Sequence, residues 1–307
     1  MAKKQKMTSR LRELLARPGM VVAPGCYDAL TARIIERTGF DAAYASGAYI
    51  AWSIGLPDQG MTTLTEVVQR ATYIADSVNI PVIIDGDTGF GHPINTQRLI
   101  RELERAGIAG VHIEDQEVPK RCGHLAGKRL VPLEEHATRI RAASDARSDP
   151  DFVIVARIDA IAVEGFDRAI ERAKAYVEAG ADMVFFDGIE TVEQLREAVK
   201  RLPDTMHFVH PSEGGKTPFL SAQEFEALGY KTAIYIPGNI RAGFKMMIRV
   251  LQELKEKGTT AALSDLIPTL PEQFEWNLGG DREVMDLINK YSVEQRDDAF
   301  WWRKQQS

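Results

Sequence analysis

Cysteine is scarce in this 307-residue chain, where only Cys26 and Cys122 are present. Two thiols are too few for a disulfide framework and suit a reducing compartment, so we expect a cytoplasmic protein. The N-terminal stretch MAKKQKMTSRLRELLA is basic but lacks the apolar core of a secretory signal. No apolar run approaches the roughly 20 residues that span a bilayer, and we therefore expect no membrane partner.

Excess positive charge and nucleotide-binding motifs are also lacking. The net charge of −6 gives no reason to expect nucleic acid as a partner. No Gly-rich dinucleotide fingerprint follows the first predicted strand, and the GxxxxGK[ST] spacing of a phosphate-binding loop is absent. The remaining composition, with 44% hydrophobic and 27% charged residues, is typical of a globular protein.

Short apolar runs recur along the chain and predict buried strands separated by amphipathic helices. The runs are continuous rather than alternating, which indicates burial on both faces and hence a parallel sheet. Repetition of such units favours an α/β fold of the (β/α)₈ TIM-barrel type, with an open doubly wound sheet as the alternative. The eight predicted strands are Met20–Ala23, Ala42–Ala45, Val82–Ile84, Val111–Ile113, Val153–Ala156, Met183–Phe186, His207–Val209 and Ala233–Ile236.

We expect the barrel to occupy residues 1–260 and a helical segment to occupy residues 261–307. A long helix is predicted from Gly238 to about Lys257, where Gly258 and two threonines end it. The C-terminal segment is rich in aromatic side chains, which pack either against another subunit or against the barrel of the same chain. These side chains are Phe274, Trp276, Phe300, Trp301 and Trp302.

Three carboxylates stand at the ends of neighbouring predicted strands. Asp85 and Asp87 follow the third strand and, two residues apart, point the same way, while Glu114 ends the fourth. Their mutual repulsion would be offset by a divalent cation, and oxygen ligands favour Mg²⁺ or Mn²⁺. The alternative is that these are loop carboxylates that cap a helix.

The stretch Val111–Arg129 carries a thiol among basic side chains. Cys122 is flanked by Lys120, Arg121 and His124, and nearby positive charge favours a thiolate. Such a cysteine can act as a nucleophile, or as a proton donor if it starts as a thiol. The alternative is a basic surface loop in which the cysteine is incidental.

Two further strand ends carry candidate binding groups. The small residues Ser46, Gly47 and Ala48 follow the second strand and allow backbone N–H groups to approach a carboxylate or an oxyanion. Tyr44 points the same way as Ser46, so it either overhangs the pocket or packs in the barrel. Arg157 ends the fifth strand, where it is suited to clamp a substrate carboxylate or to form a salt bridge.

Together these motifs resemble the isocitrate lyase/phosphoenolpyruvate mutase superfamily. The resemblance covers most of residues 20–255, and DGDTGFG together with KRCGH are its most specific motifs. The branches most similar are the 2-methylisocitrate lyase, 2,3-dimethylmalate lyase and carboxyphosphonoenolpyruvate mutase types. The matching segments are YDALTARIIERTGF at 27–40, SGAY, GLPDQGMTT, DGDTGFG, EDQEVPKRCGH and GGKTP.

The resemblance implies a role for each candidate residue, a Mg²⁺ or Mn²⁺ cofactor, and a homotetramer built as a dimer of dimers with its last helix exchanged between subunits. Cys122 would protonate the departing carbanion from a mobile loop at about 117–129, and Tyr44 is our candidate base. The remaining roles would be Asp85 as metal ligand, Asp87 and Glu114 as holders of metal-bound water, Ser46, Gly47 and Ala48 for the keto-acid part, Asp58 as a lining residue and Arg157 for a substrate carboxylate.

Three positions depart from the family pattern. The chain has Ile158 where the family has Thr, Asp187 where it has Glu, and His210 where it has Asn. We expect all three near the distal carboxylate of the substrate, with Asp187 and His210 binding substrate. A lost hydroxyl donor there would cost about 1–3 kcal/mol. The departures therefore predict a substrate with a bulkier or less carboxylated distal end than methylisocitrate.

The function that the residues and the resemblance favour is a Mg²⁺-dependent carbon–carbon lyase. It would cleave a substituted malate-like 2-hydroxy acid of the methylisocitrate or dimethylmalate type into an α-keto acid and a carboxylic acid. One alternative is a P–C bond mutase or hydrolase of phosphonate metabolism, which shares the metal site but does not normally need Cys122. The other alternative is a non-catalytic barrel that binds a keto acid.

Overall fold

A computed structural model describes residues 5–123 and 125–292 of the chain. The chain divides into two compact units, Met1–Arg241 and Ala242–Ser307. No helix among the described residues is long and apolar enough to cross a membrane.

The first unit is a closed barrel of eight parallel strands that pair in chain order, with β1 also paired to β8. This confirms the predicted (β/α)₈ fold and excludes the open sheet. Every predicted apolar run coincides with a strand to within a few residues. The strands are β1 (Val21–Cys26), β2 (Ala43–Ala45), β3 (Val82–Asp85), β4 (Gly110–Glu114), β5 (Val153–Ile158), β6 (Met183–Phe186), β7 (Met206–Val209) and β8 (Thr232–Tyr235).

Helices alternate with the strands in the first unit, and further helices form the described part of the second. The helices are α1 (Met7–Ala16), α2 (Ala29–Arg37), α3 (Gly47–Ser53), α4 (Leu64–Ser77), α5 (Pro93–Arg105), α6 (Leu133–Ala146), α7 (Ile161–Glu164), α8 (Phe166–Glu178), α9 (Val192–Arg201), α10 (Ala222–Ala227), α11 (Pro237–Lys257), α12 (Leu270–Glu275) and α13 (Asp281–Tyr291), with a 3₁₀-helix at Ala261–Leu266.

Local sequence signals set several helix starts. The side chains of Asp28 and Thr63 each accept a hydrogen bond from the backbone N–H three residues on. In return, the side chains of Thr31 and Glu66 accept a hydrogen bond from the backbone N–H of Asp28 and Thr63, respectively. Such reciprocal caps satisfy N–H groups that have no intrahelical acceptor. They fix where the chain turns from a strand-end loop into a helix, and so they fix the length of the loops that carry the site.

Two sets of buried side chains fill the barrel unit. One lies between strands and helices and includes Leu99, Ile100 and Leu103 of α5, which are buried. The other lies inside the barrel, where His112 packs edge-on against Phe185 at 5.7 Å between ring centroids and Phe185 lies 5.2 Å from Phe208. This aromatic layer closes the barrel interior beneath the carboxyl ends of the strands.

The described part of the second unit, residues 242–292, consists of helices joined by short non-helical segments, and the predicted helical segment is observed from Ala261 as far as Tyr291. Trp276 is half exposed there, at 51% of its surface. Phe300, Trp301 and Trp302 lie outside the described residues, so the predicted exchange of the C-terminal segment stays a prediction. The same holds for the division into a barrel domain of residues 1–260 and a segment of residues 261–307.

Candidate active site

A central cavity of about 120 Å³ opens at the carboxyl ends of the strands. In (β/α)₈ barrels this is the end at which active sites are built. Most of the residues singled out from sequence meet here. The lining residues are Tyr44, Ser46, Ala48, Tyr49, Trp52, Asp58, Asp85, Lys120, Cys122, Gly123, Arg157, Phe185, Asp187, His210, Ile234, Ile236 and Arg241.

The three predicted metal carboxylates lie close together at the ends of β3 and β4. Asp85 Oδ1 accepts a hydrogen bond of 3.0 Å from the backbone N–H of Asp87, whose φ of 46° turns the chain tightly. The backbone N–H of Glu114 donates to the carbonyl oxygen of Asp87 at 2.8 Å. These bonds hold the two strand ends together, with Asp85 facing the cavity and Asp87 and Glu114 buried behind it.

The electrostatics of this group suit a cation. Burial raises the pKa of Glu114 well above its ordinary value, against the opposing effect of the Arg157 charge. Burial also raises the pKa of Asp87, and Lys120 opposes that shift. Both oxygens of Glu114 lack a hydrogen-bond partner among the described residues, although Oε2 lies 3.3 Å from Arg157 Nη1. A divalent cation near Asp85 would offset the cost of keeping these carboxylates ionised.

Within the described residues, no three His, Cys, Asp or Glu side chains converge as direct metal ligands. The observed placement is compatible with the sequence-based assignment, which needs only Asp85 as a direct ligand and reaches Asp87 and Glu114 through water. The backbone also approaches closely here, because a Cβ added to Gly47 would lie 2.7 Å from Asp85 Oδ2. Glycine is therefore required at position 47 for this approach.

Ser46, Gly47 and Ala48 lie beside Asp85 at the start of α3. The backbone N–H of Ser46 donates to the carbonyl oxygen of Cys26 at 2.9 Å, so it is engaged within the barrel. The N–H groups of Gly47 and Ala48 belong to the first turn of α3, where a helix provides no acceptor. These two groups are thus the part of the predicted oxyanion cradle that can bind a ligand.

Tyr44 lines the cavity and also packs in the barrel, so both predicted placements describe it. Its phenol oxygen lies 2.6 Å from Nε2 of His112, and the two rings stack at 5.7 Å between centroids. The sequence interpretation did not single out His112, because a histidine in the middle of an apolar strand has the pattern of a packing residue.

Arg157 occupies the cavity wall in a network of ion pairs. Its Nε lies 2.9 Å from Asp159 Oδ2, and its Nη2 lies 3.4 Å from Asp187 Oδ2. The charges of Asp159 and Glu114, against the opposing effect of burial, raise the pKa of Arg157. The salt-bridge alternative therefore describes the observed contacts, and the predicted clamp on a substrate carboxylate stays a prediction.

The loop that carries Cys122 is closed over the cavity. Gln116 fixes its start, because its side chain donates to the carbonyl oxygen of Arg121 and accepts from the Arg121 N–H, both at 2.9 Å. Cys122 is partly buried and lines the cavity. Of its predicted basic neighbours, Arg121 donates to the carbonyl oxygen of Ala126, and His124 lies outside the described residues.

Two lysines of this loop pair with carboxylates of the loops at the carboxyl end of the barrel. Lys120 contacts Asp58 and lies 2.8 Å from Asp87 Oδ1. Lys128 Nζ is buried and lies 2.8 Å from Asp159 Oδ1 and 3.3 Å from Asp187 Oδ2. Sequence reasoning saw only the positive charge of Lys120 and assigned Lys128 no role. Their contacts join residues far apart in the chain, which no local pattern reveals.

The three residues that depart from the family pattern do not all line the cavity. Asp187 and His210 line the cavity, as expected. The expectation is wrong for Ile158, which packs with Ile154 and Ala156 of β5 in the hydrophobic core. Successive strand residues point to opposite faces, so Arg157 faces the cavity while Ile158 faces the helices. The loss of a hydroxyl at position 158 therefore removes no cavity-lining donor.

Asp187 also lies against the loop. A Cβ added to Gly123 would lie 2.1 Å from Asp187 Oδ2, and Lys128 Nζ donates to the carbonyl oxygen of Gly123 at 2.9 Å. A side chain at position 123 would separate the loop from the barrel end. Asp187 thus contacts loop residues and Arg157 from the position where a substrate-binding role was predicted.

The structure is a parallel (β/α)₈ barrel whose carboxyl end carries a carboxylate-rich cavity, a thiol and a covering loop. This is the arrangement of a barrel enzyme with its active site at that end. The family model for phosphoenolpyruvate phosphomutase matches residues 11–255. The chain belongs to this family, within the PEP mutase/isocitrate lyase superfamily. The resemblance stated from the motifs is confirmed.

Curated relatives narrow the enzyme class. A 2-methylisocitrate lyase of Aeropyrum pernix is 44% identical over 94% of this chain and 89% of the relative. A 2,3-dimethylmalate lyase of Eubacterium barkeri is 44% identical over 93% of this chain and 98% of the relative. These relatives confirm the predicted class, a lyase of this superfamily.

Solved structures agree with the fold. A crystal structure of 2,3-dimethylmalate lyase superposes with a TM-score of 0.89 at 34% identity and covers 96% of this chain and all of the relative. Phosphonopyruvate hydrolase, solved with oxalate and Mg²⁺, superposes with a TM-score of 0.84 at 29% identity over 94% of this chain and all of the relative. A bound Mg²⁺ is thus documented for a structural relative.

Proposed function

We propose that this chain cleaves a carbon–carbon bond in a malate-like 2-hydroxy acid, of the kind named for its 2-methylisocitrate and 2,3-dimethylmalate lyase relatives. The products would be an α-keto acid and a carboxylic acid. The observation that carries the proposal is that Cys122 lines the same small cavity as Asp85 and Arg157. A proton donor in the same cavity as carboxylates suited to a cation is the arrangement that a carbanion-forming cleavage requires.

The cofactor would be Mg²⁺ or Mn²⁺, held by Asp85 directly and by Asp87 and Glu114 through water. When bound, the cation supplies stabilisation of the negative charge on the oxygens of the hydroxy acid and of the keto-acid product. Gly47 and Ala48 would direct their backbone N–H groups to the carboxylate of the keto-acid half, next to Asp85.

Proton removal from the substrate hydroxyl is assigned to Tyr44. Burial raises the pKa of Tyr44 well above its ordinary value, and the Asp85 charge adds to the shift, so a free tyrosinate is costly. The phenol would therefore give up its own proton to Nε2 of His112, at 2.6 Å, as it receives the substrate proton. Burial lowers the pKa of His112 to about 3, so the imidazolium that forms lasts only for the step, with Asp85 Oδ1 facing its Nδ1 at 3.6 Å. The pair passes a proton without Tyr44 carrying a lasting charge.

Cys122 completes the reaction at the other carbon. Bond cleavage leaves a carbanion next to the distal carboxylate, and the Cys122 thiol donates the proton that quenches it. The loop that carries Cys122 is held closed through Lys120 and Lys128, which keeps water from the carbanion. This assignment explains why the thiol is placed on a loop that closes over the site.

The proposal extends to assembly. The chain would form a homotetramer, a dimer of dimers, with residues from about 261 onward crossing between subunits. The aromatic side chains of this segment support the proposal, because Trp276 leaves half of its surface exposed in the single chain. Light scattering at micromolar concentration should give the mass of an oligomer, and a monomer would contradict the assembly.

A substrate panel tests the function. Purified protein with Mg²⁺ would be assayed on 2-methylisocitrate, 2,3-dimethylmalate and other 2-hydroxy diacids, with pyruvate and glyoxylate as readouts, and with a chelator as control. We expect keto-acid release that depends on the metal. Turnover of phosphonates instead would favour the mutase or hydrolase alternative, and binding of keto acids without turnover would favour the non-catalytic one.

A further inference from the structure

One buried carboxylate at the active end of the barrel has no part in the proposed reaction. Asp115 follows Glu114 at the end of β4, and its side chain is buried against helix α8. Its Oδ2 accepts a hydrogen bond of 3.1 Å from the hydroxyl of Tyr176 and lies 3.3 Å from Nη1 of Arg172. The same Nη1 donates to the Tyr176 hydroxyl at 3.0 Å. We call these three side chains, Asp115, Arg172 and Tyr176, the anchor cluster.

The anchor cluster holds the backbone of two segments that belong to the site. The first is Asp159, whose N–H donates to Asp115 Oδ1 at 2.8 Å. The second is Val131, which lies between the loop at about 117–129 and the start of α6. The carbonyl oxygen of Val131 accepts from Arg172 Nη1 at 3.1 Å, and its N–H donates to the Asp115 carbonyl oxygen at 3.1 Å. Val131 is therefore fixed through both of its backbone polar groups.

Asp159 is the carboxylate that the loop contacts when it is closed. Lys128 Nζ donates to Asp159 Oδ1 at 2.8 Å, and Arg157 donates to both oxygens of Asp159 at 2.9 and 3.1 Å. Hydrogen bonds weaken steeply when distance and angle change. A shift of the Asp159 backbone would therefore weaken the Lys128 contact. The anchor cluster thus fixes both the end of the loop and the carboxylate that the loop contacts.

Arg172 connects these contacts. Its Nε and Nη2 each donate to Glu164 at 2.7 Å, which fixes the plane of the guanidinium and leaves Nη1 for Asp115 and Val131. Buried ion pairs often add no more stability than apolar side chains of similar volume. Stability alone therefore does not account for a buried arginine whose contacts converge on the loop.

We infer that Arg172 is a positioning residue for the reaction. Through Asp115 and Val131 it holds the loop at about 117–129 closed, so that Cys122 stays over the cavity. It acts through these groups and not by contact with the substrate. The inference rests on the proposed function only in that the loop carries the proton donor, because loop closure itself is measured without turnover.

Accessibility of Cys122 measures loop closure directly. Iodoacetamide modification of Cys122, followed by peptide mass spectrometry, would give a rate for the wild type, Arg172→Met, Arg172→Lys, Lys128→Met and the double variant Arg172→Met/Lys128→Met. Arg168→Met is the control, because Arg168 lies on the exposed surface of the same helix and pairs with the exposed Glu171. Melting curves would establish that each variant is folded.

We expect Arg172→Met to raise the rate at least about tenfold, because loss of one partner of a buried ion pair is strongly unfavourable. Arg172→Lys should recover part of the difference, since an ammonium group keeps the charge but does not reproduce the guanidinium fork. The double variant should react within about twofold of Lys128→Met alone, because both substitutions release the same loop. Arg168→Met should react like the wild type. A residue that only supported the core would lower the melting temperature without this shared effect on Cys122.

Tyr176→Phe provides a second, milder test, because it removes only one hydroxyl from the anchor cluster. It should raise the Cys122 rate about threefold or more, and it carries the test if Arg172→Met does not fold. A wild-type rate in folded Arg172→Met, or in Tyr176→Phe where Arg172→Met is unfolded, would overturn the inference. So would increases for Arg172→Met and Lys128→Met that multiply in the double variant.

These outcomes are separable from the function itself. A raised Cys122 rate in Arg172→Met supports the positioning role even when the substrate panel shows no keto acid. Conversely, keto-acid release by the wild type supports the lyase assignment even when Arg172→Met has the wild-type rate.

Discussion

The phenol oxygen of Tyr44 lies 2.6 Å from Nε2 of His112 inside the barrel, and both side chains are buried. Burial lowers the pKa of His112 to about 3, and the charge of Arg157 adds to the shift, so the imidazole is neutral at physiological pH. Burial raises the pKa of Tyr44 well above its ordinary value. In the resting protein the two groups thus form one neutral hydrogen-bonded pair that faces the cavity through Tyr44.

Removal of the Tyr44 hydroxyl should slow catalysis and leave ligand binding nearly unchanged. Tyr44→Phe keeps the ring in the barrel and removes only the atom that contacts His112. We expect kcat to fall by about 10²–10⁴, with the dissociation constant of pyruvate changed little. Tyr230→Phe is the matched control, because Tyr230 is also buried and its hydroxyl donates to the Leu195 carbonyl oxygen, away from the cavity. Wild-type kcat in Tyr44→Phe would contradict the proton-transfer role.

The two cysteines should differ in reactivity and in importance. Cys122 lines the cavity, whereas Cys26 is buried in β1 and its Sγ lies 3.4 Å from the Tyr44 carbonyl oxygen. Burial also raises the pKa of Cys26. Iodoacetamide should therefore modify Cys122 in the native protein and leave Cys26 intact, and oxalate with Mg²⁺ should slow the modification. Peptide mass spectrometry would locate the adduct.

Substitution of the same two residues separates their roles. Cys122→Ala should lower kcat by about 10²–10⁴ through loss of the proton donor, with little change in thermal stability. Cys26→Ala should lower stability by a small amount and leave kcat near the wild-type value. If Cys122→Ala turns over like the wild type, the carbanion takes its proton from another source and the assignment is wrong.

Lys128 should control closure of the loop at about 117–129. The charges of Asp159 and Asp187 outweigh the effect of burial and raise the pKa of Lys128, so the ammonium group is kept charged between two carboxylates. Removal of one partner of such a buried pair costs about 3–5 kcal/mol. Lys128→Met should therefore open the loop, lower kcat/KM at least about tenfold and raise hydrogen exchange of the loop amides.

The neighbouring Arg129 provides the control for this loop variant. Its side chain is exposed and pairs with the partly exposed Glu117, and such surface pairs contribute little. Arg129→Ala should leave both hydrogen exchange and kcat/KM within about twofold of the wild type. Equal effects of the two substitutions would show that the buried contacts of Lys128 do not hold the loop closed.

Binding of Mg²⁺ should depend on the Asp85 carboxylate. Asp85→Ala removes the carboxylate that faces the cavity and leaves Asp87 and Glu114 behind it, so we expect Mg²⁺ binding by calorimetry to be lost while the circular dichroism spectrum stays that of the folded barrel. Asp76→Ala, on the exposed surface of α4, should bind Mg²⁺ like the wild type. Unchanged affinity in Asp85→Ala would place the metal elsewhere.

The barrel was predictable because its signals are local. Each continuous apolar run, such as Met183–Phe186, is a strand at the predicted place. A strand that is buried on both faces needs apolar side chains at successive positions, so the run itself marks the strand. The position of Asp85, Glu114 and Arg157 followed directly, because the carboxyl ends of parallel strands meet at one end of a barrel.

The contacts among these side chains were not predictable in the same way. Lys128 contacts Asp159 and Asp187, which follow two other strands, and Tyr44 of β2 contacts His112 of β4, so each contact depends on the closed geometry and not on sequence spacing. Ile158 shows the opposite error. It was assigned to the cavity as a departure from the family pattern, although alternation along β5 places it on the face opposite to that of Arg157.

The most direct test of the lyase assignment is the fate of the carbon atoms in D₂O. The wild-type protein with Mg²⁺ would be incubated with 2,3-dimethylmalate and 2-methylisocitrate, and products would be followed by proton and carbon NMR. We predict that at least one substrate yields an α-keto acid and a carboxylic acid in equal amounts, with one deuterium on the carbon that Cys122 protonates. Intact 2-hydroxy acids together with rearrangement or hydrolysis of phosphonopyruvate would contradict the account.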